Sequence, residues 1–218
     1  MRIGIVLYPT FGGSGVVATE LGKALAKKGH QVHFISYSQP VRMDAFQENV
    51  FFHEVNIPSY PLFDFAPYEV ALTSTLVRTA LFESLDLIHV HYAIPHAPAA
   101  FMAREILKKK GRNVPFITTL HGTDITLVGK DQSYEPVISF AMNQSDCLTA
   151  VSNYLKEETL NHFDVDRQIQ VVYNFIDPDK FQPPGDDCLK RYTAPNGEKI
   201  ITHISNFRKV KRVQDIVK

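Results

Sequence analysis

An α/β fold built on a doubly wound parallel sheet follows from three features of the 218-residue chain. Short apolar runs alternate with amphipathic stretches of helical period along most of its length. The first run leads through a glycine-rich turn into a helix. One central run, Phe116 to Leu120, breaks off into the polar sequence His121-Gly122-Thr123-Asp124. In open α/β sheets ligands bind outside the carboxyl ends of the strands, so this break marks the expected site.

The elements follow in order. Arg2 to Leu7, rich in Ile and Val, is a buried strand. A loop, Tyr8 to Ser14, ends in Gly12-Gly13-Ser14-Gly15, and Val16 to Lys28 is a helix. Val17, Leu21, Ala24 and Leu25 share one of its faces, and Glu20, Lys23, Lys27 and Lys28 face away. Gly29 suits a left-handed C-cap. Gln31 to Tyr37 is the second strand, parallel to the first in a βαβ unit. The pattern then repeats: strand Asn49–Val55, helix Tyr68–Ser84, strand Leu87–His91, helix Pro98–Lys110 and strand Val114–Leu120. Helix Tyr134–Asn143, strand Cys147–Val151, helix Tyr154–His162 and strand Ile169–Tyr173 complete the set. The loop Ile57 to Pro67 holds three prolines and several aromatics. Its aromatic stretch, Tyr60 to Tyr68, fits either a subunit contact in a homo-oligomer or a loop folded over its own domain.

Three regions emerge: a first domain, 1–181; a linker, 182–198, opening with Gln182-Pro183-Pro184-Gly185-Asp186-Asp187; and the opening of a second domain, 199–218. The last begins with an expected strand, Lys199–Ser205, then a basic turn and a helix starting near Val213. A lone βα piece cannot bury its faces, so a larger second domain is expected.

Composition narrows the function classes. Twenty-three basic residues balance 23 acidic ones, which argues against non-specific nucleic-acid or membrane-surface binding. The two cysteines, Cys147 and Cys188, form no framework, so a reducing cytoplasm is the expected location. The N-terminus lacks a signal peptide's apolar region, and no apolar run is long enough to span a bilayer.

Gly13-Ser14-Gly15-Val16-Val17-Ala18 fits a loose dinucleotide fingerprint. Free N–H groups at a helix start favour an anion. The acid that would hold an NAD ribose is missing, because Ser36, Tyr37, Ser38 and Gln39 follow the second strand. A phosphate or carboxylate contact is therefore expected instead. His89 and His91 share one strand face and His96 follows in a loop. No Cys, Asp or Glu adjoins them, so no metal is expected there. His91 and Tyr92 are expected to line the crevice that receives His121. Asn206 to Arg212 carries Arg208, Lys209, Lys211 and Arg212 directly after the expected strand. Guanidinium and ammonium groups so placed suit a diphosphate.

Together Gly12-Gly13-Ser14-Gly15, Gly29-His30-Gln31-Val32, His121-Gly122-Thr123-Asp124, Tyr173-Asn174-Phe175-Ile176-Asp177 with Phe181, and Ser205 to Arg212 resemble the retaining glycosyltransferases of family 4. The resemblance implies the GT-B architecture of two facing Rossmann-like domains, with this chain supplying the N-terminal, acceptor-side domain and the opening of the nucleotide-sugar-binding one. In the usual family pattern Gly-Arg precedes a lysine five residues on. Here Lys211 fills the lysine position, Asn206 stands where the arginine is expected, and Arg208 lies close by. YPTFGGSGVVATELG, HVHYAIPHA, TTLHGTDIT, VYNFID and HISNFRKVKRVQD look most like the family members of the bacillithiol pathway. That likeness implies transfer of N-acetylglucosamine from UDP-N-acetylglucosamine to the hydroxyl of L-malate, with anomeric retention and no catalytic metal or other cofactor. It implies that Lys211 and Arg208, with N–H groups near Gly13 and Gly15, steady the departing diphosphate. His121 would sit against the donor sugar, and Ser14, Tyr92 and Thr119 would receive malate. Other family members with a lipid or sugar acceptor, and a nucleotide-binding module without transfer chemistry, are the competing readings.

Overall fold

The computed structural model describes residues 1–218 except 44–45, 59–60, 127–130, 182–187, 206, 208 and 218. Seven strands, Arg2–Val6 (β1), Gln31–Ser36 (β2), Val50–Glu54 (β3), Leu87–His91 (β4), Phe116–Leu120 (β5), Cys147–Ala150 (β6) and Ile169–Val171 (β7), form one sheet. Its order is β3-β2-β1-β4-β5-β6-β7, and every neighbouring pair is parallel. The order reverses at β1, which lies between β2 and β4. That reversal creates a crevice at the carboxyl ends of β1 and β4, where a ligand is expected.

The helices are Gly13–Lys27 (α1), Tyr68–Phe82 (α2), His96–Lys109 (α3), Thr123–Thr126 (α4), Glu135–Gln144 (α5) and Asn153–His162 (α6). Two of them start two or more residues earlier than the pattern suggests. α1 begins at Gly13, inside the glycine turn, with Gly12 as its N-cap. α3 begins at His96, which the sequence places in a loop; there it is fully buried. Helices cover both faces of the sheet. Leu72 and Leu76 of α2 and Ala99, Ala100, Ala103 and Leu107 of α3 pack with Val6, Ile35, Ile88, Val90 and Phe116. Leu155 of α6 and Ile138 and Met142 of α5 pack with Leu120, Leu148 and Ile169. α1 lies on the other face, its Ala18 and Ala26 against Ile3, Ile5, Val32 and Phe34. Each large side chain so buried contributes about 1.5–3 kcal/mol over its exposed state. Gly22 of α1 lets the helix down onto Phe34, since a Cβ at that position would overlap the Phe34 ring.

The register gives the uncovered part of the α1 face a polar character. His89, Thr119 and Thr149 fall on it from β4, β5 and β6. Parallel strands normally carry apolar residues on both faces, so a polar file inside a sheet signals a purpose other than packing.

The chain divides into two compact units, Met1–Phe175 and Ile176–Lys218. The second contains a short helix, Cys188–Thr193 (α7), a 3-10 turn, Lys209–Lys211, and a single helical turn, Gln214–Val217 (α8). The expected strand Lys199–Ser205 is not formed: residues 199–204 have no regular structure, and Ile200, Ile201 and Ile204 are exposed. A strand needs a neighbour to complete its hydrogen-bond ladder, and among the described residues of this unit there is no other strand. Ala194–Gly197 forms a turn, with the Gly197 amide donating to the Ala194 carbonyl at 3.1 Å. The linker residues 182–187 lie outside the described residues. Among the described residues no helix is long and apolar enough to cross a membrane.

Candidate active site

Three strand ends meet at the reversal point. After β1 the chain runs through Tyr8 into the glycine turn. After β4 it passes Tyr92 and the cis Ile94–Pro95 bond into α3. After β5 it turns at His121 and Gly122 into α4. Gly122 has φ 120°, which favours glycine. Tyr92 holds φ 93°, an unusual state for a bulky residue and one that clusters at functional sites.

Asp124 fastens two of these ends together. Its carboxylate, 1% exposed, accepts from the Ala93 amide at 2.9 Å, the Gly122 amide at 2.8 Å and the His121 amide at 3.2 Å. Burial raises its pKa above the ordinary carboxylate value, although the three amides pull the other way. Ser14 joins the third end, its hydroxyl donating to the Tyr92 hydroxyl at 3.2 Å. Tyr92 in turn stacks on His121, with ring centroids 5.5 Å apart and planes at 26°. Tyr8 packs edge-on to Tyr92 at 5.1 Å and against His96 at 4.6 Å. The glycine turn, the tyrosine beside His91 and the His-Gly-Thr-Asp turn therefore line one hollow. A pocket of about 360 Å³ opens there between Tyr8, Tyr92, Ile94, Pro95, Thr123 and Tyr134.

A second layer holds His121. His91 Nδ1 lies 2.8 Å from His121 Nε2. His96 Nδ1–H donates to the His91 carbonyl at 2.5 Å, which leaves His96 Nε2 to accept from the Tyr68 hydroxyl at 3.5 Å. His91 Nε2 is buried with no partner. An unpaired buried N–H is rarer than an unpaired acceptor, which favours His91 donating through Nδ1 and keeping a bare lone pair at Nε2. His121 Nε2 then accepts, and its proton sits on Nδ1. Burial lowers the pKa of His121 to about 4, reinforced by His89 and His96. The ring is neutral at pH 7.

The sequence-derived site residues fall into three groups. His121, Tyr92, Ser14, Gly13 and Gly15 meet around the hollow. Gly15 is sterically required, because a Cβ there would press on the Tyr8 carbonyl and lie 2.6 Å from the Thr10 carbonyl oxygen. A Cβ at Gly13 would meet nothing within 4 Å. Thr119 stands apart: 8% exposed, its hydroxyl is bonded to His89 Nε2 and to the Thr149 hydroxyl, each at 2.7 Å. Lys211 lies in the 3-10 turn of the second unit and is exposed. Asn206 and Arg208 lie outside the described residues. Tyr8 and Tyr134 were not singled out by the sequence reading, and Thr123 only as part of the His-Gly-Thr-Asp turn. Tyr8 carries the same signal as Tyr92, an aromatic just beyond a buried strand, whereas nothing local marks Tyr134.

Residues 11–180 match the model of Glycosyltransferase Family 4. The whole chain is 48% identical to N-acetyl-alpha-D-glucosaminyl L-malate synthase of Bacillus anthracis, of which it spans 56%. Among solved structures, sucrose-phosphate synthase from Thermosynechococcus elongatus superposes with a TM-score of 0.70 at 16% identity, over all of this chain and 58% of that one. Anabaena HepE in complex with UDP-glucose gives 0.63 at 19% identity, over 89% and 50%. These two likenesses speak to the fold. The family match, extending over most of a sheet whose strand ends converge as described, means that this chain belongs to Glycosyltransferase Family 4.

Proposed function

We propose that the chain is the acceptor-side part of a retaining glycosyltransferase that moves N-acetylglucosamine from UDP-N-acetylglucosamine to the hydroxyl of L-malate. The full-chain likeness to a synthase of that name supports the reading. The observation that carries it is the small hollow at the sheet's reversal point, in which Ser14, Tyr92 and His121 meet. The pocket that adjoins it, about 360 Å³ between Tyr8, Tyr92, Thr123 and Tyr134, suits a four-carbon dicarboxylate better than a lipid.

The chemistry asks for three things. Malate needs hydrogen-bond donors for two carboxylates, and the Ser14 and Tyr92 hydroxyls, the Thr123 hydroxyl and the amides opening α1 are the donors at hand. Two negative phosphates must be steadied as the anomeric C–O bond to UDP breaks. The N-terminus of α1, open at Gly13, is suited to that, and by the family resemblance Lys211 and Arg208 would supply positive charge. The neutral His121 ring, donating through Nδ1, can hydrogen-bond the sugar without adding positive charge beside an oxocarbenium-like carbon. The departing phosphate itself can take the acceptor proton, so no carboxylate base is required. No step calls for a metal ion.

Release of UDP from UDP-N-acetylglucosamine, followed in the full-length protein with a panel of acceptors, tests this. L-malate is expected to be consumed stoichiometrically with the nucleotide sugar. Turnover with a lipid or sugar acceptor and none with malate would leave the family assignment standing and overturn the acceptor. The 218 residues alone are expected to be inactive and to bind the nucleotide sugar only weakly. Micromolar affinity by calorimetry would show that the donor contacts are already complete within them.

A further inference from the structure

Away from the strand ends, at the opposite side of the sheet, a second cluster of titratable groups has no part in this chemistry. β3 is the edge strand and pairs only with β2. His33 of β2 and His53 of β3 point to the face covered by α2, since Ile35, level with His53 in the register, packs with Leu72 and Leu76. Glu83, the C-cap of α2, comes down onto the same point. One ring nitrogen from each histidine and one Glu83 carboxylate oxygen lie within 4.8 Å of one another.

We propose that His33, His53 and Glu83 form a binding site for a divalent transition-metal ion of the zinc type, clipping the edge strand to α2. His33 Nδ1 and His53 Nε2 stand 2.9 Å apart. Two nitrogens bound tetrahedrally to zinc at about 2.0–2.1 Å would be roughly 3.3 Å apart, so closing around an ion needs a shift of a few tenths of an ångström. Two imidazoles and a carboxylate with an open fourth position are a donor set that suits zinc and its neighbours. Beside His53 and Glu83 a cavity of about 720 Å³, lined also by Thr79 and Phe82, gives an ion and its water a way in.

A bare imidazole–imidazole hydrogen bond accounts for the 2.9 Å contact but not for the rest. It does not explain a carboxylate directed at both rings. The rings are also in the ligating, neutral form. Burial lowers the pKa of His33 to about 4, with a further contribution from His53, and lowers that of His53 too. Two cations oppose an ion: the Arg2 guanidinium, which donates to the Glu83 carbonyl at 3.2 Å, and Arg78, which lines the cavity. The Glu83 carboxylate, with Glu54 on the same cavity, offsets their charge. This site is independent of the proposed transferase chemistry.

The test is zinc titration of the untagged, chelator-stripped chain against a chromogenic competitor, with thermal unfolding in parallel. One equivalent of zinc is expected to bind with micromolar or tighter affinity and to raise the unfolding midpoint. His53→Ala and Glu83→Gln should each weaken binding at least tenfold and abolish the thermal shift, while His89→Gln, on the other face, should change neither. Circular dichroism checks each fold; if His53→Ala does not fold, the exchange at the helix end, Glu83→Gln, decides. Zinc bound no more tightly than by these variants, or lost equally in His89→Gln, would overturn the site.

Discussion

His121 is held by its neighbours rather than by its own flexibility: Nε2 against His91, a face against Tyr92, and its amide on Asp124. A ring fixed in this way, with its proton on Nδ1, is prepared for a hydrogen bond that strengthens in the transition state. Such groups act mainly on turnover. In the full-length protein His121→Ala should lower kcat about 100-fold or more, with a far smaller change in the KM for malate; equal effects on both, or unchanged turnover, would contradict its role. Asp124 makes a separable contribution. Asp124→Asn turns part of an acceptor-only group into a donor facing amide N–H groups, and a buried unmet donor costs about 1–3 kcal/mol. Urea unfolding should detect a loss of that order. At this scale the meeting of His121 and Tyr92 was legible in the sequence, since a polar residue after a buried apolar run at a strand end is costly unless used, whereas Ser14 came only with the resemblance. Asp124's partnership with Ala93 was not, because it spans 31 residues and no local pattern encodes it.

The glycine turn shows how an element carries both fold and function. Gly15 and Gly13 belong to the same first turn of α1 yet answer to different constraints. Gly15→Ala should push α1 off the Tyr8–Thr10 loop and lower the unfolding temperature by several degrees, because the obstructing atoms are backbone carbonyls that cannot rotate away. Gly13→Ala, facing open space, should leave stability unchanged within about 0.5 kcal/mol. If the open space is where an anionic ligand approaches, Gly13→Ala should weaken UDP-N-acetylglucosamine binding in the full-length protein. Unaltered binding would count against the anion contact. The pattern G-x-G-x-x-A announced the turn but not its division of labour, which needs the distance to a loop on its other side. The same limit explains Lys199–Ser205. Its Ile-rich letters suit a strand, yet strand formation is a property of two segments together.

Over the molecule as a whole, the alternation of strands and helices made the doubly wound sheet legible, and the reversal of strand order at β1 explains why three distant segments share a hollow. That architecture buries or half-buries His33, His53, His89, His91, His96 and His121. His33, His89, His96 and His121 are brought down to about 4, chiefly by burial, and His53 and His91 are lowered as well. In the unfolded chain the same groups titrate near 6.5. Between about pH 6.5 and pH 4 the unfolded state therefore binds more protons than the folded one, and stability must fall as pH falls through that window. Below about pH 4 the four groups with that value add no further loss. Asp124 and Glu69, both raised by burial, act with the opposite sign, gaining stability as pH drops toward their unfolded values. They are two against six. Urea midpoints measured in chelator at pH 7.5, 6.5, 5.5 and 4.5 should hold steady over the first interval and then decline progressively. His89→Gln, which removes one buried titrating ring, should flatten the decline. A midpoint constant from pH 6.5 to 4.5 would mean that the histidines are not held neutral, and with that the neutral His121 proposed beside the sugar would go.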